Sequence, residues 1–287
     1  MTASDLQAGA WNTWTKERLE REYSPSSMVA DIGAEIAGYV RDSAAARAAH
    51  PPATVRYGLQ PTETIDLFRP EGSGPHPTVI FIHGGYWQEL SKHESAFMVP
   101  ALLAQGVAVA VVDYQLAPAA RLPAIVAQCS AACRDLVNDA GQLGLDSRRM
   151  VVAGSSAGGH LAAMTLGAVA GLTGGVLLSG IYDLVPLVGT YVNDALGLDE
   201  ATARSQSPVA RSMVSQVPLV VAVGAIETSE FHRQTAEFAA RKRAAGHPVA
   251  ELRAPGRHHF DLPYDLGNPA SPLGQLTLSL LQTGTLP

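Results

Sequence analysis

Met150-Val-Val-Ala-Gly154-Ser155-Ser156-Ala157-Gly158, followed by Gly159-His-Leu-Ala-Ala163, sets an apolar run, a glycine–serine turn and a small-residue run end to end. Arg149–Ala153 reads as a buried strand and the residues after Ser156 as a helix. Strand, tight turn, helix is the context that a G-x-S-x-G turn requires. Small residues two before and two after the central serine keep the sharp backbone bend free of clashes. Ser156 Oγ is then expected at the carboxyl edge of a sheet, with Ser155 in the variable position of the motif. The amide of Ala157 opens the helix, where N–H groups lack intrahelical partners and can hold a developing oxyanion. The alternative for the same five residues is a glycine-rich helix entry without chemistry.

Outward from this turn the pattern alternates. Thr78–Ile82, Val107–Val112, Gly175–Leu178, Val217–Val223 and Val249–Ala254 read as strands. Helical stretches are expected over Glu94–Gln105 (stopped by Gly106), about Ile125–Leu143 and about Ser229–Ala245. Apolar runs without alternation, separated by helices, predict a parallel sheet covered on both faces. Thr54–Leu59 and Thr64–Arg69, across Gln60-Pro61, add a strand pair, for a mostly parallel α/β sheet of about eight strands. Residues 1–50 read as two helical stretches, Trp11–Glu22 and Val29–Ala49, broken at Ser24-Pro25-Ser26. They form an N-terminal extension of one domain and are placed to cap the site, while residues 51–287 carry the catalytic unit. The 181–216 segment, after the sixth strand, fits neither period and is longer than an ordinary connection, so it is expected as an insertion or lid.

The 287 residues are long enough to bury about three quarters of the unfolded chain's surface in a core. Apolar residues make up 47% and charged residues 16%, with a net charge of −6 and only three lysines (Lys16, Lys92, Lys242). No basic run exists, so neither nucleic acid nor an anionic membrane is the expected partner. The N-terminus has no basic n-region and no apolar h-region, and a cytoplasmic location is expected. Residues 157–182 lack Asp, Glu, Lys and Arg but are interrupted by glycines, which fits a buried helix, turn and strand better than one spanning helix. Cys129 and Cys133, four apart on a helix, read as small buried side chains. No His, Cys and carboxylate cluster has metal-ligand spacing, so no metal or cofactor is expected.

A seryl hydroxyl needs an imidazole to take its proton and a donor pair to receive the carbonyl charge. His83-Gly84-Gly85-Tyr86-Trp87 follows a strand some 70 residues before Ser156, and two glycines can turn their amides inward. Gly84, Gly85 and Ala157 are therefore the oxyanion-hole candidates. Tyr86 and Trp87 are expected as pocket walls, with core packing an equal alternative for Trp87. His83 is expected to brace the loop and His160 to pack. After the last strand, His258 and His259 compete as base, and the place before Phe260 favours His259. The acid belongs on the loop after the strand before last. Glu227 stands three residues beyond Gly224, with Glu230 and Asp183 as rivals. Ser, acid, His is the chain order of the α/β-hydrolases.

From about Thr54 to the C-terminus the chain resembles the α/β-hydrolase superfamily, in the branch holding kynurenine formamidase (arylformamidase) and the hormone-sensitive-lipase-like esterases. The H-G-G-x-W of 83–87 is similar to the formamidase group. Asp113-Tyr-Gln-Leu-Ala-Pro118 is similar to the D-Y-R-L-A-P run of the lipase-like group, with Gln115 in place of Arg, and Gly158-Gly-His-Leu-Ala162 matches the helix after the nucleophile. The resemblance implies a Ser156–His259–Glu227 triad with Gly84, Gly85 and Ala157 as oxyanion donors. Two departures stand out: Ser155 where many relatives carry His or Asp, and Glu where Asp is commoner.

The expected activity is a cofactor-independent serine hydrolase acting on a small ester or N-formyl aryl amide through an acyl-enzyme. The alternatives are an amide hydrolase of another catabolic pathway and a non-catalytic receptor on a hydrolase scaffold. The expected partner is a small-molecule ester or amide, and a homodimer is compatible with the sequence.

Overall fold

The computed structural model describes residues 10–287. The strands β1 (Ala53–Arg56), β2 (Thr64–Phe68), β3 (His76–Ile82), β4 (Ala108–Val112), β5 (Leu145–Ser155), β6 (Gly174–Leu178), β7 (Leu219–Ile226) and β8 (Val249–His258) form one sheet. Their order is β1-β2-β4-β3-β5-β6-β7-β8. The two N-terminal strand pairings, β1 with β2 and β2 with β4, are antiparallel, and all others are parallel. The expected mostly parallel sheet of about eight strands is what the chain forms.

Helices α1 (Lys16–Glu22), α2 (Ile32–Ala49), α3 (Val99–Leu103), α4 (Leu122–Asn138), α5 (Ala157–Leu166), α6 (Asn193–Leu196), α7 (Glu200–Ser205), α8 (Ser229–Ala244) and α9 (Pro272–Thr283) pack around it. The unalternating strands are explained by two separate cores. Ile80, Ile82, Val112 and Val152 face one layer with Ile125 and Cys129 of α4, Leu161 of α5 and Phe238 of α8. Their neighbours Val79, Phe81, Val111 and Val151 face the other with Leu102 of α3 and Leu278 and Leu281 of α9. Each strand residue is thus apolar whichever way it points. Cys129 and Cys133 are free and buried.

The sheet order reverses beside β3, which lies between β4 and β5. A crevice opens beyond the carboxyl ends of strands at such a reversal. Register brings Ile82 opposite Gly154, Ser155 opposite Leu178, and Ile226 opposite His258. Four loops that carry candidate residues therefore leave the same sheet edge.

Several boundaries differ from expectation. The helix expected over Glu94–Gln105 is confined to α3, because Pro100 sits in its first turn and a 3₁₀ turn, Lys92–Glu94, precedes it. The helix expected over Ile125–Leu143 is shifted: Pro123 lies in the first turn, and β5 already begins at Leu145. The N-terminal stretches shorten to α1, capped by Thr15, and α2, capped by Asp31. The start of the first helical stretch is a 3₁₀ turn, Ala10–Thr13. Helix α9 was not among the expectations, although Ser271 Oγ accepts from Gly274 N at 3.0 Å and a proline stands in the first turn, both legible start signals. The 181–216 segment folds into two 3₁₀ turns with α6 and α7, and Leu187, Leu196 and Ala203 are buried in the same layer as α5. Among the described residues no helix is long and apolar enough to cross a membrane.

Candidate active site

Strand β5 ends at Ser155 and α5 begins at Ala157, so the whole reversal falls on Ser156. Its backbone lies at φ 58°, ψ −122°, a conformation that a non-glycine residue holds only when its surroundings impose it. Close packing supplies the constraint: a Cβ on Gly158 would fall 2.0 Å from the Ile82 carbonyl oxygen. The elbow is thereby pressed against the end of β3, where the 83–87 loop starts.

That loop is held open by left-handed backbone at Gly85 (φ 90°), Tyr86 (φ 49°) and Trp87 (φ 61°). Only the glycine adopts this without steric cost. The Tyr114 hydroxyl donates to the His83 carbonyl at 3.0 Å, and the two rings stack at 4.2 Å. His83 Nδ1 is 3.0 Å from the Gly84 carbonyl. His83 therefore sits in the bracing contacts expected of it. The amides of Gly84, Gly85 and Ala157 donate to no carbonyl among the described residues, which leaves them available at the mouth of the elbow.

Glu227 lies just past β7 and is buried. Its Oε2 meets His259 Nδ1 at 2.8 Å, while Oε1 accepts from the Gly224 amide at 2.7 Å and the Ser179 hydroxyl at 2.6 Å. The carboxylate is thus hydrogen-bonded at both oxygens, and Nδ1 is fixed as the protonated ring nitrogen by its acceptor. The rivals are engaged elsewhere. Glu230 receives the Arg233 guanidinium at 2.6 Å and the Tyr23 hydroxyl at 2.6 Å. The Asp183 carboxylate accepts from Val185 N at 3.1 Å, and burial pushes its pKa up. His258 turns toward Glu35 of α2 (3.6 Å) and Asp261 (3.5 Å).

Ser156 and His259 line one cavity of about 250 Å³, together with Gly84, Gly85 and Tyr86. Neither the Ser156 hydroxyl nor His259 Nε2 is hydrogen-bonded to a described residue, and neither is a sealed buried atom. A hydrogen bond from nucleophile to base is often made only once substrate is bound. Ser155 lines the same cavity. His160 does not; burial lowers its pKa to about 4, and its Nε2 meets the Gln206 carbonyl at 2.8 Å.

Trp87, expected as pocket wall with core packing as the equal alternative, is not a substrate-contacting residue and takes the second place: it is fully buried, is absent from the cavity wall, and meets His160 edge-on at 5.0 Å. Successive left-handed residues send Tyr86 to the cavity and Trp87 into the core. Sequence reasoning missed Ser179, whose place at the end of β6, in Leu178-Ser179-Gly180, marks it as a carboxyl-edge residue. The cap expected from residues 1–50 was read without naming its residues: Ile36 and Tyr39 of α2 join Phe97 and Phe260 in the cavity wall. No local signal brings α2 there. From the 181–216 segment, Tyr191 and Val192 reach the cavity. Among the described residues no group of three His, Cys, Asp or Glu is arranged to hold a metal ion.

Comparison with known proteins agrees with this architecture. The BD-FAE family model matches residues 65–174. Kynurenine formamidase of Salmo salar is 33% identical over 94% of this chain and 98% of its own length; that of Danio rerio is 33% identical over 88% and 92%. A solved Silicibacter protein, described as a thioesterase candidate, superposes with a TM-score of 0.80 at 27% identity, covering 90% of this chain and 97% of the other. An α/β-hydrolase sheet, an elbow serine at its carboxyl edge and near-complete alignment with two fish enzymes lead to one assignment: the chain belongs to the kynurenine formamidase-like (arylformamidase) family of α/β-hydrolases.

Proposed function

We propose that the chain is a serine hydrolase that cleaves a small carboxylic ester or an N-formyl aryl amide without a cofactor. Ser156 Oγ attacks the carbonyl carbon and its proton passes to His259 Nε2. The carbonyl electron pair moves onto oxygen, and the amides of Gly84, Gly85 and Ala157 receive that charge. Collapse of the adduct breaks the bond to the leaving oxygen or nitrogen, which takes the proton from His259. Water then attacks the acyl-serine and gives its proton to His259 Nε2; collapse breaks the bond to Ser156 Oγ, which takes that proton back as the acid leaves. Glu227 keeps the ring in the tautomer that exposes Nε2 and stabilises the imidazolium formed at each step.

The observation that carries this reading is the 2.8 Å contact between Glu227 and His259 at the edge where Ser156 is held in its strained turn. The wall contributed by Ile36 and Tyr39 supports α2 as a cap belonging to the same catalytic unit, and Tyr191 and Val192 are the support for a covering role of 181–216. The test is covalent labelling by a fluorophosphonate probe. Mass spectrometry is expected to find the adduct on Ser156, with none on Ser155. An unlabelled protein, or label retained in Ser156→Ala, refutes the proposal.

A further inference from the structure

Resting on the reading of His259 as the base, we propose that His258 is a positioning residue: its ring closes the turn that presents His259, and it transfers no proton itself. The turn leads from the end of β8 into the 3₁₀ turn Leu262–Gly267. His258 Nδ1 accepts from the Phe260 amide at 3.2 Å and from the Asp261 amide at 3.3 Å. Asp261 Oδ1 accepts in return from the His258 amide at 2.7 Å. The two side chains thus close the turn from both ends, with His259 between them.

These contacts also fix the tautomer. A ring nitrogen that receives two N–H groups holds a lone pair and no proton. The hydrogen of the His258 ring therefore sits on Nε2, which faces Glu35 of α2 at 3.6 Å. His259 has the opposite arrangement, with its proton on Nδ1 toward Glu227. Consecutive histidines are held in opposite tautomers, one serving the backbone and the other leaving Nε2 free. His258 is also absent from the cavity wall, so it is not placed to act as the base.

The surroundings of the turn make its closure matter for the imidazole. The Arg257 guanidinium donates to both oxygens of Asp265 at 2.7 Å, which fastens the two feet of the loop. The Tyr39 hydroxyl donates to the Phe260 carbonyl at 2.5 Å and ties the turn to α2. The His259 ring meets Phe260 edge-on at 5.3 Å and Phe231 edge-on at 4.7 Å. A turn whose amides lose their acceptor shifts the peptide between His259 and Phe260, and the imidazole moves with it. Misplacing a reacting group by about 1 Å costs up to about 10² in rate.

The test compares two substitutions in the full chain. His258→Asn puts Oδ1 where Nδ1 stands and offers the same two amides an acceptor, whereas His258→Leu keeps bulk and removes it. The side chain is 21% exposed, so neither change opens the core, and both are assayed well below their melting transitions. With phenyl acetate as substrate, His258→Leu is expected to lower kcat by about tenfold to a hundredfold at nearly constant KM. His258→Asn is expected to restore most of that loss. The rate of fluorophosphonate labelling at Ser156 should follow kcat, and it reads the same effect without the ester. Wild-type kcat in His258→Leu, equal losses in the two variants, or a rise in KM at unchanged kcat overturns the inference. A wild-type protein that labels at Ser156 and gives one of those results refutes the role of His258 alone. An unlabelled wild type refutes the hydrolase reading beneath it.

Discussion

Ser179 donates its hydroxyl to Glu227 Oε1 at 2.6 Å from a backbone held at φ 45°. A left-handed serine is costly, and here it aims the one side-chain donor on the oxygen that His259 does not use. Ser179→Ala removes that donor, leaving Oε1 with the Gly224 amide, and the carboxylate gains freedom to rotate away from Nδ1. The expected result is a fall in kcat of about tenfold with KM little changed, in line with roughly 1.5–3 kcal/mol for a hydrogen bond to a charged group. Steady-state kinetics read it directly. Wild-type kcat in this variant rules out a positioning role for Ser179.

Glu227 and Glu230 lie three residues apart, yet their replacement should affect different properties. Glu227→Ala leaves His259 without an orienting acceptor, and kcat should drop by about 10⁴. Glu230→Ala leaves Arg233, itself 2% exposed, with Glu237 as its remaining carboxylate. Losing one member of such a buried pair costs about 3 kcal/mol. For a chain of this size that lowers Tm by roughly 6–12 °C, with most of kcat retained well below the transition. Equal kinetic losses in the two variants contradict this division of roles.

The elbow was readable in the sequence because its signal is local: a strand, five residues and a helix start, all contiguous. The sheet was readable for a similar reason, since strands buried on both faces leave no polar positions to confuse the period. His259 needed more, namely its place after the last strand and before Phe260, and Glu227 needed the Gly224 turn. What failed was orientation and long-range contact. Tyr86 and Trp87 are adjacent aromatics on one loop, and only the left-handed backbone at both separates cavity wall from core. Tyr39 reaches the site because α2 lies against it, with Tyr39 stacked on Phe97 at 4.5 Å and Phe97 on Tyr264 at 4.4 Å. These contacts join residues far apart in the chain, and no spacing rule encodes them.

His160 gives stability a pH dependence. Burial lowers its pKa to about 4 in the folded protein, against 6.5 as the ordinary value. The unfolded state then binds the extra proton first. The stability tied to the neutral ring is fully present above about pH 6.5 and is lost as pH falls toward 4, by an amount on the order of 3 kcal/mol. Calorimetry should find that Tm falls between pH 7 and 4.5 more steeply in the wild type than in His160→Gln. Parallel slopes in the two proteins show that another group carries the dependence.

Tyr23 joins the two halves of the candidate site. Its carbonyl accepts the Tyr86 hydroxyl from the 83–87 loop, and its own hydroxyl donates to Glu230 at the start of α8, just after Glu227. Beside it, the Glu22 carbonyl accepts from Thr228 Oγ1 at 2.5 Å. Helix α1 thus ties the 83–87 loop to the 225–230 segment through backbone groups. Tyr86→Phe keeps the ring in the wall and cuts one tie. The expected cost is about 1 kcal/mol in stability, a Tm drop of roughly 2–4 °C, because the lost bond is neutral. If the tie also holds the oxyanion amides in place, kcat should fall several-fold while KM changes little, since the donors act on the transition state more than on bound substrate. A rise in KM at constant kcat assigns Tyr86 to substrate contact alone and makes the 83–87 amides independent of α1.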